Sequence, residues 1–256
     1  MSGWREKLAA RQALVPKETL AKPIELPKIF MVRHLERIDY SDNPSSKEFK
    51  EWLSQKSDYN YLINPYLDAE ISIGRLRENL EEKHIDHVIC SPYVRCIQTA
   101  ILITNSPDLN IVDKTIHIDY KLGELVNEIF SFRVPLDVET VYTHSKKYIE
   151  EKFNTITLSL DNSNNTPLIF TDYETDEQYD KRILDELTNI RERYSGNILV
   201  ITHADAYKQF NAERKGMDYG RVYNINLGVG GSYREKYLKY KTKYMELKQN
   251  LQTKKI

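Results

Sequence analysis

The chain has 256 residues, 37 Lys and Arg against 38 Asp and Glu, and a formal net charge of −1. That length suits one α/β domain or two small ones, and the charge balance excludes a global basic field that would draw the chain to nucleic acid or an anionic membrane. Two cysteines, Cys90 and Cys96, cannot build a disulfide framework and point to a reducing compartment, while no apolar run reaches membrane-spanning length and no signal-peptide core opens the sequence.

Residues 1–27 are polar and broken by Pro16, Pro23 and Pro27, and read as an arm. Ile29–Val32 is a continuous apolar run, the mark of a strand covered on both faces. A helix is expected over 45–57, then the loop Asn64–Leu67, then a helix over 72–83 carrying Ile73, Leu76 and Leu80. His87–Cys90 is the next strand. Ser91 is a suitable N-cap and Pro92 a suitable first residue for the helix that follows. Ile116, Ile118 and Tyr120 alternate with polar residues, as in a half-buried strand.

Residues 126–174 read as a cap or insert with a helix near 138–153 and a loop at 161–166. Thr175-Asp176-Glu177-Gln178 has the form of a capping box, and Tyr179, Ile183, Leu187, Ile190 and Tyr194 follow at helical spacing up to Gly196. Ile198–Thr202 is a second fully apolar strand, and Arg221–Leu227 is expected as a last one. Strands alternating with helices define a three-layer α/β/α class with a mainly parallel sheet, over 28–230. Beyond it, 231–256 is a Lys/Tyr-rich helical tail. Its stripe Tyr233, Tyr237, Tyr240, Tyr244, Leu247 and Leu251 suits self-association or partner docking through 233–251, or packing on the domain.

Polar residues end three of the apolar strands. Arg33-His34 ends the first, Ser91 the second with Arg95 one turn on, and Thr202-His203 the last of them. In an open parallel sheet ligands bind at the carboxyl ends of strands. His34, His203, Arg33 and Arg95 are therefore expected on one rim, with Arg37 able to turn back to it. A guanidinium fork holds two phosphate oxygens and keeps its charge. A neutral imidazole is a good nucleophile near neutrality. Fixed cations stabilise the anionic transferring group. The acid that protonates the leaving oxygen is expected to be Glu124, with a raised pKa; Glu36 and Asp205 are weaker candidates, and Glu128 lies one turn from Glu124. Singly, each of these residues has an ordinary role as a cap, a surface charge or a satisfied histidine. Their order along the chain, each at a strand end, is what points to phosphate. Arginines beside His34 and His203 repel a cation, so no metal is expected between these histidines and no cofactor is implied.

The ordered strings Arg33-His34, Ser91-Pro92-Tyr93-Val94-Arg95-Cys96-Ile97-Gln98-Thr99-Ala100, Leu122-Gly123-Glu124 and Thr202-His203 resemble the motifs of the histidine phosphatase superfamily, also called phosphoglycerate mutase-like. The resemblance spans roughly Lys28 to Leu227. It implies a phosphoglycerate mutase-like fold and a phosphomonoester hydrolase working through a phosphohistidine. His34 would be the nucleophile, Glu124 the proton donor, and Arg33, Arg37, Arg95 and His203 the phosphate pocket. Arg33-His34-x-Glu36-Arg37-x-Asp39 is most similar to phosphatases of the Sts/TULA type, which implies a phosphotyrosine or a phosphorylated small molecule as substrate. The marks of true mutases are missing, so a phosphotransferase is the lesser alternative. Leu35 and Ala204 stand where family members carry glycine, and a site closed by them would leave a catalytically degenerate partner-binding protein. The tail is similar to Lys/Tyr-rich C-termini of giant-virus proteins, which would place the chain in a host cytoplasm or virion; without that, it is expected in the cytoplasm.

Overall fold

A computed structural model describes residues 27–37, 67–127, 134–153, 157–160 and 168–227. The arm up to residue 26, the expected helix over 45–57, the loop 161–166, Glu128 and the tail lie outside the described residues.

In chain order the elements are β1 (Lys28–Arg33), α1 (Leu67–Leu80), β2 (His87–Cys90), α2 (Val94–Thr104), β3 (Ile116–Ile118), β4 (Leu136–Asp137), α3 (Val138–Lys152), β5 (Leu158–Leu160), β6 (Ile169–Phe170), α4 (Asp176–Arg193), β7 (Asn197–Thr202) and β8 (Val222–Ile225). Short 3-10 turns span Tyr120–Leu122 and Ala204–Phe210. The main sheet has the order β5-β3-β2-β7-β1-β8, and β4 pairs with β6 in a small antiparallel ribbon. Every pairing in the main sheet is parallel except that of β8, which runs antiparallel to β1 at the edge.

Two adjacent interior strands, β1 and β7, are the continuous apolar runs. Their alternate side chains enter different cores, because successive residues of a strand point to opposite faces. Phe30, Val32, Val88, Cys90, Leu199 and Ile201 pack with Leu76 and Leu80 of α1, Val94, Ile97 and Ile101 of α2, and Val141 and Ile149 of α3. Ile29, Met31, Ile89, Ile198 and Val200 pack with Tyr179, Ile183, Leu187 and Ile190 of α4. Helices cover both faces, so the molecule is a three-layer α/β/α sandwich with a mainly parallel mixed sheet. Each buried aliphatic side chain contributes on the order of 1.5–3 kcal/mol. Within 126–174, β5 extends the main sheet from β3 and α3 adds to the core over α2.

Two local differences from expectation have clear causes. Ser91 does not cap α2: the helix begins at Val94, with Tyr93 at the cap position and no side-chain cap bond. The Ser91 hydroxyl is instead 2.9 Å from Nε2 of His203. β3 stops at Ile118 rather than Tyr120, because the Asp119 carboxylate accepts the Lys121 N–H at 2.9 Å and starts a 3-10 turn. The Thr175 capping box is present, with the Thr175 Oγ1 accepting the Gln178 N–H and the Gln178 Oε1 accepting the Thr175 N–H. Among the described residues, no helix is long and apolar enough to cross a membrane.

Candidate active site

The sheet register builds the site. Arg33 of β1 pairs with Thr202 of β7, and Cys90 of β2 pairs with Ile201 of β7. The next residue on each strand continues that ladder: the His34 N–H donates to the Thr202 carbonyl and the Ser91 N–H to the Ile201 carbonyl, each at 3.0 Å. His34, Ser91 and His203 thus emerge side by side at the carboxyl ends of three adjacent strands, all buried. The two imidazoles meet edge to face, with ring centroids 5.4 Å apart.

His34 places Nδ1 2.6 Å from the carbonyl of Leu35. A carbonyl accepts only, so Nδ1 carries the proton and Nε2 keeps its lone pair for attack. His203 places Nε2 on the Ser91 hydroxyl and Nδ1 3.2 Å from Oε2 of Glu124. The consistent tautomer has Nδ1–H donating to the carboxylate and Nε2 accepting from Ser91.

Arg95 is the second residue of α2 and is fully buried. Its Nη2 pairs with Oε2 of Glu124 and lies 3.2 Å from Nδ1 of His203. Its guanidinium sits 4.7 Å from the Tyr93 ring centre. Arg33 is half-buried, with its guanidinium 3.8 Å over the Tyr219 ring and Nη1 donating to the Met217 carbonyl at 3.4 Å. Its Nε is buried and has no hydrogen-bond partner among the described residues, a donor suited to an anion. Tyr219 also stands beside His34, at 6.0 Å between ring centres.

Burial, reinforced by the charges of Arg95 and Arg33 and by the neighbouring His203, holds the His34 pKa well below the ordinary value of 6.5. Burial likewise pushes His203 down to about 4, although Glu124 opposes it. Glu124 departs from expectation. Burial pushes its carboxyl up, but His203 and Arg95 outweigh burial and hold it well below the usual carboxylate range. In the free site Glu124 is an ion paired with Arg95, not an acid holding a proton.

His34, His203, Arg95 and Glu124 therefore form one connected cluster, with Arg33 next to it across Tyr219. Arg37 is buried three residues past His34. Glu36 is half-buried. Asp205 pairs with Lys208 at 2.9 Å on its own 3-10 turn. Leu35 and Ala204 do not strain the backbone, since Arg214 is the one non-glycine residue with positive φ among those described. The close approach falls at Gly216 instead, where a Cβ would lie 2.9 Å from the Ala204 carbonyl oxygen.

Two positioning groups escape sequence reading. The Thr99 hydroxyl accepts the Leu35 N–H at 3.0 Å and donates to the Arg95 carbonyl at 2.7 Å. Arg182 donates to the carbonyls of Lys121, Gly123 and Glu124 at 2.6, 3.2 and 3.1 Å, and pairs bidentately with Glu174. It fixes the backbone that carries Glu124. Thr99 lies in the motif string and was a visible signal. Arg182 sits on α4 among many charged residues, and nothing local distinguishes it from a solvated face.

No family model matches the chain, and no curated protein does. Solved structures that it resembles include a protein assigned as an alpha-ribazole-5'-P phosphatase from Escherichia coli, at 15% identity and a TM-score of 0.43, covering 79% of this chain and 91% of that one. The alpha-ribazole phosphatase from Shigella flexneri is similar at 17% identity and a TM-score of 0.43, covering 78% of this chain and 91% of that one. A likeness this loose transfers no function.

Proposed function

We propose that the chain is a phosphomonoester hydrolase of the histidine phosphatase type, acting through a phosphohistidine at His34. The observation that carries this reading is the His34 ring itself: it is buried, held neutral, and its Nδ1 is committed to the Leu35 carbonyl, so Nε2 is left for in-line attack beside two arginines. In this scheme the phosphoryl oxygens take up the forks of Arg33 and Arg95, with Arg37 and His203 completing the pocket. Nε2 of His34 forms the bond to phosphorus as the ester oxygen leaves, and water then cleaves the P–N bond. No cofactor is required by these steps.

Glu124 is proposed as the proton donor, in a form that depends on substrate. An arriving phosphate dianion competes for Arg95. That weakens the ion pair that keeps Glu124 ionised, so its pKa rises as the site fills and it takes up the proton it must give to the leaving oxygen. A second reading, a phosphate-binding protein without turnover, is favoured by the same Arg95–Glu124 pair: an ionised carboxylate cannot donate a proton.

Hydrolysis of p-nitrophenyl phosphate in EDTA, with wild type beside His34→Ala, decides between them. Turnover that survives EDTA and is lost in the variant supports the hydrolase. A folded wild type that binds inorganic phosphate by calorimetry without turnover supports the second reading. The natural substrate is proposed as a phosphorylated small molecule or phosphotyrosine, and the tail at 233–251 as a docking or self-association segment.

A further inference from the structure

A second cluster lies at the opposite end of the sheet, near the amino ends of β2 and β3. His87 opens β2, His117 is the middle residue of β3, and Asp113 sits in the loop leading into β3. One ligand atom from each lies within 4.8 Å of the other two. His117 pairs with Ile89 in the sheet register, and His87 is two residues before Ile89, so both imidazoles project from the α4 face of the sheet. The Tyr194 ring closes one side, at 4.9 Å from His87 and 5.6 Å from His117.

We propose that His87, Asp113 and His117 form a binding site for a divalent transition metal of the zinc type, separate from the histidine pocket. Two imidazole nitrogens and one carboxylate oxygen are a donor set that zinc accepts, with a fourth position left to water. The geometry is close to what that ion needs. Nε2 of His117 and Oδ2 of Asp113 are 3.3 Å apart. Bonds of about 2.0–2.1 Å at tetrahedral angles place neighbouring ligand atoms about 3.3 Å apart, so this pair, which shares a hydrogen bond, already has the spacing of two ligands and an ion would take the place of the shared proton.

Two further observations suit ligation. The other Asp113 oxygen, Oδ1, accepts the Thr115 N–H at 2.8 Å, which aims Oδ2 at the cluster as an outer hydrogen bond orients a metal ligand. His87 buries its Nδ1 with no hydrogen-bond partner among the described residues, leaving that ring nitrogen for a ligand. The nearby cations are occupied elsewhere. The Lys114 ammonium donates to the Thr104 carbonyl at 2.6 Å, and Arg193, next to Tyr194, pairs with Asp119 and Glu186. A bound ion would tie the loop after α2 to two strands of the sheet and stabilise the fold by RT ln(1 + c/Kd), where c is the free ion concentration. It stands away from the carboxyl-end rim and does not depend on the proposed hydrolase.

The test titrates the full chain, stripped with EDTA and desalted, with zinc chloride by calorimetry, and records the visible spectrum after Co2+ loading. Wild type should bind one Zn2+ per chain, with a rise in Tm and the intense Co2+ bands of a four-coordinate site. Asp113→Asn keeps the shape and the Thr115 bond, so it should fold, yet bind at least about tenfold more weakly and lose those bands. His87→Ala should do the same, and His34→Ala should keep the stoichiometry of wild type. Absence of saturable Zn2+ binding in wild type would overturn the proposal. So would an Asp113→Asn protein that binds as tightly as wild type, or binding lost in His34→Ala and kept in Asp113→Asn.

Discussion

The Thr99 hydroxyl stands between the backbone of Leu35 and that of Arg95: it accepts the Leu35 N–H at 3.0 Å and donates to the Arg95 carbonyl at 2.7 Å. One side chain thus couples the residue after the proposed nucleophile to the helix that carries the buried guanidinium. Thr99 and Leu35 are both fully buried, so neither bond can be replaced by water.

Thr99→Val tests this link. The swap keeps the shape but leaves the Leu35 N–H without an acceptor, at a cost of about 1–3 kcal/mol. Urea denaturation should show that loss. Turnover on p-nitrophenyl phosphate should fall with KM less affected, because the peptide that Thr99 holds joins His34 to Leu35, whose carbonyl orients the His34 ring. Unchanged stability and turnover would remove Thr99 from the site.

Arg182 is a stronger case. It is the shared donor for three carbonyls on the Glu124 segment, and its partner Glu174 is nearly buried, with 8% side-chain exposure. Arg182→Ala leaves that carboxylate without its cation and should destabilise by about 3–5 kcal/mol. Arg182→Lys keeps the charge but not the fork, so it should recover stability more than turnover. Equal recovery of both would show a structural role alone.

Leu35→Gly bears on whether leucine obstructs the site. Leu35 is fully buried and its backbone is not in the left-handed region, so glycine gains no conformational need here. Removing the side chain should cost at least about 2–5 kcal/mol, as for other buried leucines. Activity should not rise. A gain in turnover with stability retained would show instead that the leucine narrows the pocket.

The histidines set the acid limb of stability. His34 and His203 have folded pKa values below 6.5, the second at about 4, while the unfolded chain takes up those protons from 6.5 downward. The unfolded state therefore binds more protons in that window, and stability falls as pH drops below about 6.5. Glu124, also depressed, adds to the loss at pH below 4.5. Urea midpoints measured across that range should decline, and the decline should be shallower in His203→Gln.

Asp119 works in the opposite sense. Burial and the neighbouring Glu186 raise it to about 7, although the Lys121 N–H and Arg193 oppose them. The folded state then holds a proton that the unfolded state has lost, so this group's contribution declines as pH rises from 3.8 to about 7 and is level above. The stability of Asp119→Asn relative to wild type should improve over that interval and then stay constant. A constant difference throughout would mean that the pair does not retain a proton near neutrality.

Much of the architecture follows from local pattern. The continuous apolar runs Ile29–Val32 and Ile198–Thr202 are interior strands because only a strand covered on both faces dispenses with polar alternation. The strand endings followed too: Arg33-His34, Ser91 and Thr202-His203 lie together because parallel strands in register end at the same edge. Residue type, period and order along the chain carry that much, since each is a short-range property. The tertiary structure alone decided the rest. Ser91 has the chemistry of a helix cap, and only the packing of β7 beside β2 brings a histidine close enough to take its hydroxyl. Glu124 has the chemistry of an acid, and only its contacts with His203 and the buried Arg95 hold it as an ion. Arg182 is distant in sequence from the carbonyls it meets, and His87 from the Asp113–His117 pair, so a charge or a ring nitrogen takes its role from neighbours that long-range packing supplies.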